Sequence, residues 1–137
     1  MVGTMATPSN NPIQIKGGNS LHGKVKIQGS KNAALPVLAA TLLVRGSCVL
    51  GNCPQITDVF YMQKLLEHAG CQVERAGDKI TVNADTVREC RLPREYVGKM
   101  RSSVILMGAL LGRLGRVGID YPGGCVIGER PIDLHLM

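Results

Sequence analysis

Residues 33–46 and 102–115 superimpose at an offset of 69 (102 − 33), and this self-similarity constrains the fold more than any other feature. Leu35 falls on Val104, Leu38 on Met107 and Leu42 on Leu111, and the closing glycines Gly46 and Gly115 coincide. Leu50 then falls on Ile119. Each copy reads as an apolar helix followed by a strand, a unit that must stack on a neighbour to cover its apolar face. Further on, Asp58 corresponds to Asp133 at an offset of 75 (133 − 58), so the second copy carries six more residues (75 − 69). They fall in the loop Pro122-Gly123-Gly124-Cys125-Val126-Ile127-Gly128-Glu129-Arg130. An insertion into one copy of a repeated scaffold is a common place for function, because loops vary while the packed unit stays fixed.

Around the repeat the chain divides into four parts. Residues 1–12 read as a disordered leader. Residues 13–29 hold Ile13-Gln14-Ile15-Lys16 and Lys24-Val25-Lys26-Ile27-Gln28, which alternate with period two on either side of Gly17-Gly18-Asn19 and predict a strand pair. Residues 30–98 form the first unit. Ser30 is its N-cap, Pro36 falls in or near the first turn, and the helix is apolar nearly all round, so burial on every side is expected. A short strand follows at Cys48-Val49-Leu50, then a turn at Asn52-Cys53-Pro54. A second helix opens at Thr57-Asp58, with Val59, Met62, Leu65, Leu66 and Ala69 on one face and Gly70 as its stop. A hairpin turns about Gly77-Asp78. Residues 99–137 form a second unit: a helix from Ser102 to the stop at Gly115, a strand at Val117-Gly118-Ile119, the cysteine loop, and a helix beginning near Pro131. That unit stops before any hairpin, so the chain is expected to be a fragment of a larger repeat protein.

Composition narrows the function classes. With 45% apolar residues but one Phe, three Tyr and no Trp, the core is aliphatic and base-stacking platforms are lacking. The net charge of +6 is scattered rather than run together, which fits an anionic small molecule at least as well as nucleic acid. Five cysteines with no CxxC spacing fit neither a disulfide framework nor a zinc ribbon. Residues 1–12 lack the features of a secretory signal, and the longest apolar run is too short to span a bilayer. A cytoplasmic location with no membrane partner is expected.

Three features carry chemistry. Cys125 sits among glycines that permit close approach, with Arg130 to draw its thiol toward neutrality; a tight loop around a buried, inert cysteine is the alternative. The overlay places Asn32 on Arg101, each before a helix whose N-terminus favours anions, and Lys31 stands beside the first. Lys31 and Arg101 are either solvated helix-end charges or, if the repeat brings them together, two walls of one anion site.

The residues Gly29-Ser30-Lys31-Asn32-Ala33-Ala34-Leu35-Pro36, Lys99-Met100-Arg101-Ser102-Ser103 and Pro122-Gly123-Gly124-Cys125 through Arg130-Pro131-Ile132-Asp133-Leu134-His135 closely resemble the UDP-N-acetylglucosamine 1-carboxyvinyltransferases. The resemblance runs from about Ile13 to the end, in the right order, and covers roughly the first third of such an enzyme. It implies an α/β (α+β) fold, part of an inside-out α/β barrel built from repeated βαβαββ-like units, with residues 13–29 joining a domain outside this chain. It implies transfer of enolpyruvate from phosphoenolpyruvate to the 3′-hydroxyl of UDP-N-acetylglucosamine, with no metal or organic cofactor.

By motif, Lys31, Arg101 and Arg130 would bind phosphoenolpyruvate. Asn32, Arg101 and the run Arg130, Pro131, Ile132, Asp133 and Leu134 would bind the UDP-sugar. Cys125 would be the general acid, form a phospholactoyl adduct and be alkylated by fosfomycin. The general base would belong to the C-terminal part of the same enzyme, so turnover by this chain alone is not expected. A non-catalytic UDP-sugar- or anion-binding remnant is one competing reading. A shikimate-pathway enolpyruvyl transferase is the other; the Gly-Gly-Cys loop and the Arg-Pro-x-Asp-Leu run argue against it.

Overall fold

The computed structural model describes residues 14–123 together with Ile132 and Asp133. In chain order it contains α1 (Lys31–Ala40), a 3-10 turn (Thr41–Leu43), β1 (Ser47–Leu50), α2 (Thr57–Ala69), β2 (Gln72–Ala76), β3 (Lys79–Asn83), α3 (Arg94–Val97), a second 3-10 turn (Arg101–Val104) and α4 (Ile105–Leu114). The strands form a three-stranded sheet in the order β1-β3-β2, with β3 antiparallel to both neighbours. β1 and β2 are therefore parallel to each other, and α2 is the crossover between them. This is the mixed helix-and-sheet class anticipated from the sequence.

The first unit follows its pattern closely. On α2, Val59, Met62, Leu65, Leu66 and Ala69 recur at helical spacing and are all buried. They share one core with Ile80 and Val82 of β3, which alternate with less buried residues as a half-buried strand requires. The helix stops at Gly70 for two reasons. Its φ of +104° is left-handed, and a Cβ there would lie 2.6 Å from the Thr86 carbonyl. The hairpin turns at Gly77-Asp78 as its glycine predicts. Arg75, on the inward row of β2, donates to the carbonyls of Cys53, Pro54 and Gly77 and to Gln63. It ties the β1–α2 turn to the hairpin and is a structural arginine.

Other expectations need correction. Residues 14–29 form neither strand, and Ile15, Val25 and Ile27 are exposed: an alternating segment gains strand structure only from a neighbouring strand, and none of the described residues forms a ladder with it. The first helix is buried on one face, through Leu35, Leu38, Ala39 and Leu42, while Val37 and Leu43 stay more than half exposed. Pro36 lies beyond the first turn of α1, so it also removes a bond to the Asn32 carbonyl that a donor there would make. The strand expected at Val117-Gly118-Ile119 is reduced to one parallel bridge between Gly118 and Arg91. The short α3 had no periodic signal to announce it.

The register of the repeat also changes. Leu35, Leu38 and Leu42 are buried in the first copy, and their buried counterparts are Ser103, Leu106 and Leu110, at an offset of 68 (103 − 35) rather than 69. Leu111 is 53% exposed although it overlays buried Leu42. The first copy ends in its 3-10 turn and the second begins with one. The offset of the buried positions is 68 throughout, from Ser103 inside the second 3-10 turn to Leu110 in α4.

Candidate functional site

The site begins at the turn into α1. Gly29 abuts the Asn52 carbonyl so closely that a Cβ would not fit, and Asn52 itself has a left-handed φ of +54°. This close approach sets the point from which Ser30 enters the helix. Ser30 is extended, and its carbonyl accepts from the amides of Ala34 (2.9 Å) and Ala33 (3.3 Å), while its hydroxyl makes no capping bond. Lys31 and Asn32 then occupy the first turn of α1, at the end of the helix where amides face outward and the dipole is positive.

The second wall comes from the repeat. Ser103 is fully buried; its amide donates to Met100 (3.2 Å) and its hydroxyl to the Val97 carbonyl (3.3 Å). These bonds, with buried Met100, pin the 3-10 turn that carries Arg101. Between the walls lies a cleft of about 430 Å³, lined by Lys31, Asn32, Leu35, Asp58, Met100 and Arg101 together with Lys99, Ser102, Val104 and Ile105. The formal charge of this lining is +2, from Lys31, Lys99 and Arg101 against Asp58. The starts of α1, α2 and the Arg101–Val104 turn all reach it, so helix dipoles add to the positive field. A pocket of this size, with apolar flanks and convergent cations, suits a small anion or one end of a larger anionic ligand.

Lys31 and Asp58 form an ion pair across this cleft, Nζ to Oδ2 2.9 Å. The start of the cysteine loop is anchored nearby. The Gly123 amide donates to the Val97 carbonyl (3.3 Å), and Gly123 packs on the Gly98 carbonyl with no room for a Cβ. Gly98 directly precedes Lys99 in the cleft wall.

Of the residues singled out from sequence, Lys31, Asn32 and Arg101 are brought into one cleft. Ile132 is buried and Asp133 exposed, and neither is among the residues lining it. Cys125, Arg130, Pro131 and Leu134 lie outside the described residues. Sequence reasoning missed Lys99 and Ser102, although both flank Arg101 in the quoted motif. It read Asp58 as a helix-start carboxylate suited to capping or ligand contact, but not as the partner of Lys31.

Two of the other cysteines belong to the core. Cys53 and Cys71 are buried. Burial pushes the Cys71 thiol up to about 11, against a smaller lowering by Arg113. Burial also raises Cys53, with Arg75 opposing and Asp78 adding to the rise. Neither is a nucleophile at neutral pH. No helix among the described residues is long and apolar enough to cross a membrane.

Known proteins resemble this chain over most of its length. The family model described as EPSP synthase (3-phosphoshikimate 1-carboxyvinyltransferase) matches residues 15–137. UDP-N-acetylglucosamine 1-carboxyvinyltransferase 2 of Caldanaerobacter subterraneus subsp. tengcongensis is 49% identical over 124 residues, covering 90% of this chain and 30% of that protein. The UDP-N-acetylglucosamine 1-carboxyvinyltransferase of Desulfosudis oleivorans is 46% identical over the same share of each chain. Among solved structures, the enolpyruvyl transferase NikO from Streptomyces tendae superimposes with a TM-score of 0.66 at 30% identity, over 72% of this chain and 23% of that one. The chain thus spans about 30% of the length of the curated relatives it matches.

Proposed function

The chain belongs to the EPSP synthase family of enolpyruvyl transferases, and from that premise we propose that it carries part of the substrate site for enolpyruvyl transfer from phosphoenolpyruvate to the 3′-hydroxyl of UDP-N-acetylglucosamine. One observation carries the reading. Lys31 and Asn32 from one copy of the repeat share a single cationic cleft with Arg101 from the other.

Lys31 and Arg101, with Arg130, hold the phosphate and carboxylate of phosphoenolpyruvate. Asn32 and Arg101 orient the sugar nucleotide, and the run from Arg130 to Leu134 takes its uridine end. Cys125 follows Gly123, which is anchored beside the cleft wall. Its thiol is the general acid: it delivers a proton to the methylene carbon of phosphoenolpyruvate while the sugar hydroxyl, giving up its proton to the general base in the C-terminal part of the enzyme, bonds through its oxygen to the adjacent carbon. That carbon gains oxocarbenium character as the proton arrives, so the acid must stand on one face of the double bond. Loss of a proton from the new methyl group then restores the double bond and expels phosphate. Fixed cations stabilise the phosphate as it leaves, the largest single contribution such a site makes.

A second reading has its own support, because the matching family model carries the name of the shikimate-phosphate enzyme. Titration calorimetry on the 137-residue chain separates the two. Heat on addition of UDP-N-acetylglucosamine, and none with 3-phosphoshikimate, is expected. Preferential binding of 3-phosphoshikimate would transfer the proposal to the second acceptor. Silence from both ligands at millimolar concentration would remove the binding role of this chain.

A further inference from the structure

We infer that Asp58 is a positioning residue, whose carboxylate holds the Lys31 ammonium in the cleft where it can meet an anion. The inference rests on the reading of this cleft as an anion site. Lys31 is the first residue of α1, and that first turn contains no acidic residue. A cation there faces the positive end of the helix dipole and gains by swinging away into solvent. Its flexible four-carbon stem offers no resistance to that movement. Asp58 supplies the opposing pull at 2.9 Å, the length of a charge-assisted bond.

Asp58 is well placed to do so. It lies in the first turn of α2, where the dipole favours a carboxylate, and its side chain is only 32% exposed against 52% for Lys31. The pair bridges two packed helices, so the ammonium is referenced to the rigid core rather than to a loop. An ammonium has three donors, so Lys31 can keep Asp58 on one and present the others to a ligand. Asp58 touches neither substrate nor reacting atoms in this scheme. It acts through Lys31.

Electrostatics alone predicts the opposite sign for its removal. Asp58→Asn raises the formal charge of the cleft lining and should tighten anion binding if Asp58 were merely a nearby negative charge. If it positions Lys31, the same change weakens binding. The test has two arms on the 137-residue chain, comparing wild type, Asp58→Asn and Asp58→Glu.

In the first arm, acetic anhydride labelling read by mass spectrometry compares Lys31 with exposed Lys24. Labelling of Lys31 should rise about 2- to 5-fold in Asp58→Asn, the range of an exposed ion pair. It should return toward wild type in Asp58→Glu, with Lys24 unchanged and buried Cys71 still inert to alkylation. In the second arm, phosphoenolpyruvate should bind several-fold more weakly to Asp58→Asn. Unchanged Lys31 labelling, or tighter phosphoenolpyruvate binding in Asp58→Asn, would overturn the inference. If wild type binds no phosphoenolpyruvate, the anion-site reading fails while the labelling arm still decides whether Asp58 holds Lys31.

Discussion

At the scale of single residues, the cysteines make the sharpest contrast. Cys71 is held neutral by burial, with its thiol at about 11, so its thiolate fraction near neutral pH is on the order of one in ten thousand. Native alkylation should therefore leave Cys53 and Cys71 largely unmodified while Cys125 reacts, and peptide mapping after iodoacetamide treatment checks the order. Equal rates at all three would contradict both the burial and the proposed acid. The same shift has a consequence for stability. A thiol whose pKa is raised from 9.0 to about 11 contributes stability that is fully present below pH 9. That contribution is lost as pH rises through 11. Thermal unfolding followed from pH 8 to pH 11 should show a falling midpoint, and Cys71→Ala should flatten that fall.

Arg75 offers another prediction at this scale. It donates to three backbone carbonyls and to Gln63, so Arg75→Met leaves partly buried acceptors without a donor. A loss of about 1–3 kcal/mol is expected, measurable by urea denaturation. No pattern in the sequence distinguishes this structural arginine from a ligand-binding one.

At the scale of elements, α2 and the hairpin were readable because local signals agree with tertiary packing. Helical spacing, an acidic first turn and a left-handed glycine stop all point the same way. The helices of the repeat were half readable. Their existence and the stop of the second at Gly115 could be seen, whereas the first gives way to its 3-10 turn at Thr41, short of Gly46, and an all-apolar sequence has no polar face to state which side is buried. The buried face of the second copy also lies one residue from its place in the overlay. The exposed side gives a direct check. Leu43→Gln and Leu111→Gln, both at exposed positions, should change stability by no more than about 0.5 kcal/mol. Leu65→Ala, at a fully buried position on α2, should cost about 2–5 kcal/mol. Denaturation midpoints that ranked the three equally would refute the assigned faces.

At the scale of the whole molecule, the site depends on association of the two copies, not on either motif alone. Lys31 and Asn32 reach the cleft because Gly29 packs on Asn52 and α1 packs on α2. Arg101 reaches it because Ser103 and Gly123 are tied to the end of α3. The overlay of Asn32 on Arg101 stated that these positions are equivalent. That they face each other follows from packing of α4 against α1, which no single-sequence pattern encodes. The exposed residues Ile15, Leu21, Val25 and Ile27 were the least legible part, since their alternation shows strand propensity without saying what they pair with.

The central claim is that one cationic cleft, built from both copies of the repeat, takes the anionic substrates of an enolpyruvyl transferase. Backbone amide chemical shifts of the 15N-labelled chain, recorded during titration with UDP-N-acetylglucosamine and phosphoenolpyruvate, test it most directly. The account predicts saturable, concerted shifts at Lys31, Asn32, Asp58 and Arg101. Shifts confined to the groove of Gln55, Phe60 and Val73 on the far side of α2, or none at millimolar ligand, would contradict it.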